Sequence, residues 1–188
     1  MANHPVIYTV GHSNRRIEDL LAILKARHIG TLVDIRTIPK SRFNPQFNTG
    51  EIGKSLKAEG IDYLHTPSLG GLRKSIGAAS PNMAWENASF RGFADYMQTS
   101  EFEAGLASLI AITSKSTIAI MCAEAVPWRC HRSLVSDALT ARGVEVQHLM
   151  SPTKAQPHRM TPFAKVDGSR VTYPPMDGLR CTRDCPFD

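Results

Sequence analysis

The stretch Met121-Cys122-Ala123-Glu124-Ala125-Val126-Pro127-Trp128-Arg129-Cys130-His131-Arg132 is the densest run of chemically capable side chains in the chain. An apolar run at 116–122 leads into it and a helical pattern at 131–142 follows it. It therefore reads as a strand end, a short loop and a helix start. A helix start presents unpaired backbone N–H groups and the positive end of the dipole, and both favour anions. Arg129, Cys130, His131 and Arg132 lie there, and the guanidinium forks match a phosphate or a carboxylate. The same position lowers the pKa of a nearby thiol, which makes Cys122 a candidate nucleophile. The competing reading is a buried strand residue that packs as a small hydrophobe. Glu124, directly after the apolar run, suits proton transfer if it is partly desolvated. Otherwise it holds the loop through an ion pair with Arg129 or Arg36.

Asp34-Ile35-Arg36 opens a second constellation, which continues through Pro39-Lys40-Ser41-Arg42-Phe43-Asn44-Pro45-Gln46-Phe47. Arg36, Ser41 and Arg42 can bind phosphate or carboxylate, and Phe43 and Phe47 can stack a base or sugar. The competing reading is a proline-stiffened loop whose phenylalanines plug the edge of a sheet. Gly11-His12-Ser13 forms a third group. His12 titrates near neutral pH and suits proton transfer, Asp34 is available to orient its ring, and Ser13 joins the anion-binding set. Gly70 and Gly71 allow close backbone approach to a ligand, or simply make a turn. His12, His65 and His148 come from separate strands without ligand spacing, so no metal site and no cofactor is expected.

These residues need elements to place them. Short apolar runs at 6–10, 31–35, 61–65, 116–122 and 145–150 read as strands. Helical periods separate them: one after Asn14 that stops at Gly30, one capped by Thr49 and running to about Glu59, then 90–98, 101–113 and 131–142. This alternation predicts an α/β fold, a three-layer single domain with a mostly parallel sheet of about five strands flanked by helices. Such sheets bind ligands at the carboxyl ends of their strands. His12, Asp34, Arg36, His65, Cys122 and Glu124 all end or follow a predicted strand. Residues 67–87 read as a long irregular loop, functional or mobile. Trp85, Phe90, Phe93 and Tyr96 read as core. The domain is expected to span 1–188, with its core at about 6–150 and a C-terminal extension at 151–188. That extension carries a hairpin near 165–173, around Asp167-Gly168, and a frayed tail.

The chain has 188 residues, 22 Lys+Arg against 17 Asp+Glu, a net charge of +5 and 42% hydrophobic residues, which excludes a wholly disordered chain. No apolar run approaches the roughly 20 residues that cross a bilayer. Met1-Ala2-Asn3-His4-Pro5 carries no secretory signal, so a cytoplasmic location is expected. In that compartment Cys122, Cys130, Cys181 and Cys185 are not a disulfide framework, and the Cys181/Cys185 pair lacks a second pair to make a zinc site. Between Arg36 and Lys74, seven basic residues face three acidic ones. This is either a solvated basic face or one that meets phosphate or nucleic acid.

Four motifs occur in a characteristic order: Thr9-Val10-Gly11-His12-Ser13; Asp34-Ile35-Arg36-x-x-Pro39-x-Ser41-Arg42-x-x-Pro45-x-Phe47; Leu69-Gly70-Gly71; and Met121-Cys122-Ala123-Glu124-x-x-Pro127-x-x-Cys130-His131-Arg132. Together they resemble the domain of unknown function 488 family, and Phe90-Arg91-Gly92-Phe93-Ala94-Asp95-Tyr96-Met97 is similar to it as well. The resemblance covers about 7–175. It implies a single α/β domain, typically bacterial or archaeal and cytoplasmic, and no particular activity. It marks His12, Ser13, Asp34, Arg36, Ser41, Arg42, Glu124, Cys130, His131 and Arg132, and leaves Cys181 and Cys185 outside.

The residues themselves point to an enzyme of hydrolase or glycosyl-transfer type acting on a phosphate-bearing ligand, such as a nucleotide or nucleic-acid component. Arg36, Arg42 and Arg132 hold the anion, His12 or Glu124 handles the proton, and Asp34 orients. Two alternatives stay open. One is a non-enzymatic nucleic-acid-binding module using the basic loop with Phe43 and Phe47. The other is a thiol or metal redox protein using Cys122 and Cys130. No membrane partner is expected, and the oligomeric state is open.

Overall fold

The computed structural model describes residues 5–175 of the chain. Cys181, Cys185 and the frayed tail expected around them lie outside the described residues. Five apolar runs become parallel strands: β1 (Val6–Gly11), β2 (Thr31–Asp34), β3 (Asp62–His65), β4 (Ile118–Cys122) and β5 (Glu145–Leu149). Their order across the sheet is β3-β2-β4-β1-β5. A sixth strand, β6 (Ala155–Pro157), pairs antiparallel with β5, one more than the sequence predicts. Three residues carry no readable period-2 pattern, and a proline is tolerated there because the strand is an edge.

Successive residues of β4 point to opposite faces, and both faces are covered. Ala119 and Met121 pack with Leu20, Ile23 and Leu24 of α1 (Ile17–Lys25) and Ile52 and Leu56 of α2 (Thr49–Ala58). Ile118, Ile120 and Cys122 pack on the other side. There they meet Phe93 of α3 (Ala88–Tyr96), Phe102 and Leu106 of α4 (Ser100–Ile112), and Leu134 and Leu139 of α5 (Arg132–Thr140). The result is a three-layer α/β domain with a mostly parallel sheet. Trp85 and Phe93 are buried in it, with Phe90 stacked on Trp85 at 4.7 Å. Residues 165–172 form the hairpin β7 (Lys165–Asp167) and β8 (Arg170–Thr172), whose Val171 joins the core. No helix among the described residues is long and apolar enough to cross a membrane.

Two local assignments differ from the sequence reading. Thr49 is the first residue of α2 and does not cap it. The preceding Asn48 turns its Oδ1 to the Ser41 N–H at 2.6 Å, which ties the 36–48 loop to the helix start. The 67–87 segment has no long element, yet it is pinned. Asp95 of α3 accepts from Ser75, the Ile76 N–H, Ser80 and Asn82. Burial pushes the Asp95 carboxyl up, but these donors outweigh it and hold it below its ordinary range.

β4 lies between β2 and β1. The chain leaves β1 and β2 toward α1 and α2, and leaves β4 toward α5 on the opposite face. Adjacent strands whose exits diverge in this way open a crevice at their carboxyl ends.

Candidate functional site

The crevice has two lobes. One, of about 400 Å³, is lined by His12, Ser13, Asn14, Lys40, Ser41 and Asn44. The other, of about 390 Å³, is lined by Gly71, Leu72, Cys122, Arg129, Cys130 and His131, among others. Arg36, Ile38, Ala123 and Glu124 line both, so the lobes are one continuous cleft. Three separated sequence motifs thus reach one surface because each ends a neighbouring strand.

Arg36 is the hub of its floor. Its Nε and Nη2 donate to the Asp34 carboxylate at 2.6–3.1 Å, its Nη2 also to the Phe47 carbonyl, and its Nη1 to His12 Nε2 at 3.1 Å. Asp34 is fully buried and also accepts from Tyr63 Oη at 2.7 Å. Burial, with the Asp34 carboxylate, pushes the Tyr63 phenol up to about 12. Asp34 therefore acts on His12 through Arg36 and does not touch it. His12 donates from Nδ1 to the Ser13 carbonyl at 2.8 Å, so both ring nitrogens are bonded inside the protein. Burial and the Arg36 charge lower its pKa, which keeps the ring neutral. Phe47 is fully buried against His12 at 4.3 Å and presents no face to a base, whereas Phe43 is 93% exposed.

Across the cleft, a 3₁₀ turn at Pro127–Arg129 brings Cys130 back beside Cys122. His131 Nδ1 lies 3.8 Å from Cys122 Sγ and 3.6 Å from Cys130 Sγ, while its Nε2 meets the Ile35 carbonyl at 3.2 Å. The neighbouring Cys130, with His131 and Arg132, holds the Cys122 thiol well below its ordinary range although burial opposes it. Burial holds Cys130 above its own. Arg132 is 1% exposed, and its Nε and Nη1 have no partner among the described residues. Two glycines make the packing possible. A Cβ at Gly11 would collide with the Glu124 carbonyl, and one at Gly71 would lie 2.5 Å from His131 Nδ1. The close approach that Gly71 allows is to this imidazole, and Gly70 likewise packs on Thr37.

A family model described as Domain of unknown function DUF488 matches residues 16–139. The chain belongs to this family. The DUF488 match takes in Asp34, Arg36, Ser41, Arg42, Glu124 and the Cys130-His131-Arg132 start of α5; His12 and Ser13 lie just before it. No curated protein and no solved structure matches the chain.

Within this DUF488 domain the remaining expected positions separate. Ser41 lines the cleft and accepts from the Asn44 N–H at 3.1 Å. Arg42 is exposed and lines neither lobe. Glu124 is exposed and makes no ion pair with Arg129 or Arg36. His65 bonds the Arg36 carbonyl and His148 bonds Thr9, so His12, His65 and His148 do not converge. Tyr63, Asn14, Ile38 and Leu72 belong to the site without having been singled out. A half-buried strand tyrosine and exposed apolar loop residues carry no distinguishing pattern in a single sequence.

Proposed function

We propose that the crevice is the active site of an enzyme of hydrolase or glycosyl-transfer type. Its ligand is phosphate-bearing, a nucleotide or a component of a nucleic acid. The observation that carries this reading is that uncommitted charges of both signs face one cleft. Lys40 and Arg129 line it, Glu124 lies where its lobes join, and none of the three makes an ion pair among the described residues. Arg129 and Lys40 neutralise the phosphate with charge-assisted hydrogen bonds. Glu124 takes the proton of the attacking water or hydroxyl as that oxygen bonds to the reacting centre and the leaving group departs. Ile38 and Leu72, 64% and 71% exposed, offer an apolar wall to a sugar or base. Asp34 and His12 are positioning residues, since both act by holding Arg36.

A thermal-shift panel of nucleotides, sugar phosphates and short oligonucleotides at low salt tests this, with turnover followed on whichever compound stabilises the fold. One small phosphate compound should raise Tm for the wild type and for Glu124→Gln. Arg129→Ala should weaken its binding about 10- to 100-fold, the loss of a charge-assisted contact. Glu124→Gln should slow turnover by about 100- to 10,000-fold. Stabilisation by oligonucleotides alone, insensitive to Glu124→Gln, would replace the enzyme with a binding module. No shift with any compound would overturn both.

A further inference from the structure

We propose that Cys122, Cys130 and His131 bind one thiophilic d¹⁰ cation, zinc(II), with a fourth coordination position open to the crevice. Among the described residues this is the one group that brings three ligating atoms together, all within 4.8 Å of one another. Tetrahedral zinc with Zn–S of about 2.3 Å and Zn–N of about 2.0–2.1 Å requires N···S edges of about 3.6 Å. His131 Nδ1 lies 3.6 Å and 3.8 Å from the two sulfurs, so the nitrogen is placed for such a site without a large movement.

The tautomer points the same way. The Ile35 carbonyl can only accept, so the 3.2 Å contact at Nε2 puts the ring proton there and leaves the Nδ1 lone pair facing the sulfurs. A metal-ligating histidine is typically oriented by this kind of outer hydrogen bond to a backbone carbonyl. Gly71 completes the cradle, because a Cβ there would fill the space beside Nδ1.

The charges balance as well. Binding displaces the proton of each thiol, so Zn²⁺ with two thiolates and a neutral imidazole is neutral overall. Arg132, the next residue along from His131, is buried, and its Nε and Nη1 are unpartnered among the described residues. All three ligands line the lobe that Glu124 and Arg129 also line, and three protein ligands with one open position is the arrangement of catalytic zinc. The site stands on its own geometry. Its role beside Glu124 deepens the hydrolytic reading above and in that respect rests on it.

The test is zinc(II) titrated into the reduced, chelator-stripped full chain against a chromogenic competitor, with cobalt(II) as a spectroscopic substitute. One equivalent should bind. The cobalt form should show thiolate-to-metal charge transfer and the intense ligand-field bands of tetrahedral geometry, and the charge-transfer intensity should fall to about half in Cys122→Ser or Cys130→Ser. His131→Gln should weaken zinc by more than the about 10- to 100-fold that loss of an outer-shell partner costs. A wild-type cobalt spectrum without thiolate charge transfer, or zinc affinity equal in the wild type and the Cys122→Ser/Cys130→Ser chain, would overturn the site without requiring any single variant to fold. Zinc binding with no stabilisation by any phosphate compound would leave the site standing and remove the phosphate reading. Phosphate-dependent stabilisation with no zinc bound would do the reverse.

Discussion

Arg36 commits its guanidinium to Asp34, Phe47 and His12 with almost no solvent around it. Removing one partner of such a buried pair strands the other charge, which costs about 3–5 kcal/mol, whereas removing both costs less than the sum. Arg36→Met should therefore lower the urea-unfolding free energy by about 3–5 kcal/mol, and Asp34→Asn/Arg36→Met should recover part of that loss. A single variant within about 0.5 kcal/mol of wild type would show that the pair does not hold the crevice floor. The types of these residues are legible in the sequence, because a charged pair interrupting the end of an apolar run has few structural uses. Their partners are not. The bidentate pairing forms where the chain turns off β2, and no periodicity states which way the side chains face there. For the same reason Asp34 reads as a partner of His12, while the folded chain places Arg36 between them.

At the scale of elements, α3 does two jobs. Its apolar side fills the core with Phe93 and Ala94, and its Asp95 gathers the donors of the 75–82 segment. Gly92 lets that segment approach, since a Cβ there would lie 2.5 Å from the Arg73 carbonyl. Asp95→Ala leaves these donors without an acceptor, at a cost of about 1–3 kcal/mol for each group that stays buried. We expect amide exchange across 75–82 to accelerate far more than in β4, where it reports global unfolding. Equal acceleration in both would show that Asp95 supports the whole domain instead. The five parallel strands are legible because a sheet covered on both faces leaves continuous apolar runs, and the five helices because burial of one side imposes a period of 3.6. The loop is not, because its order comes from one carboxylate and dispersed hydroxyl, amide and N–H donors. The sequence puts Cys122, Cys130 and His131 in one run, but their convergence depends on the 3₁₀ turn at Pro127–Arg129 reversing the chain.

For the whole molecule, a buried polar chain joins the sheet to α5. The Thr9 hydroxyl donates to His148 Nδ1, His148 Nε2 to His158 Nδ1, and His158 Nε2 to Asp137, which also accepts from Tyr173. Burial first, then His158 and Arg132, push the His148 pKa down to about 3. The unfolded chain therefore takes up this proton first, near pH 6.5. Stability is full above that value and falls as the pH drops toward the folded pKa, by about 1.4 kcal/mol per pH unit for this one group. Urea midpoints at pH 7 and pH 5 should differ accordingly, and less so in His148→Gln; an unchanged pH slope in that variant would contradict the assignment. The sheet order brings the ends of β1, β2 and β4 to one crevice, and the claim that this crevice receives a phosphate-bearing ligand is best tested by mapping it. Backbone amide shifts of the full chain titrated with a nucleoside monophosphate at low salt do so directly. We predict saturable shifts at 12–14, 36–41, 71–72 and 122–131, the walls of both lobes. Shifts confined to the exposed Phe43 rim, or none that saturate, would contradict the account.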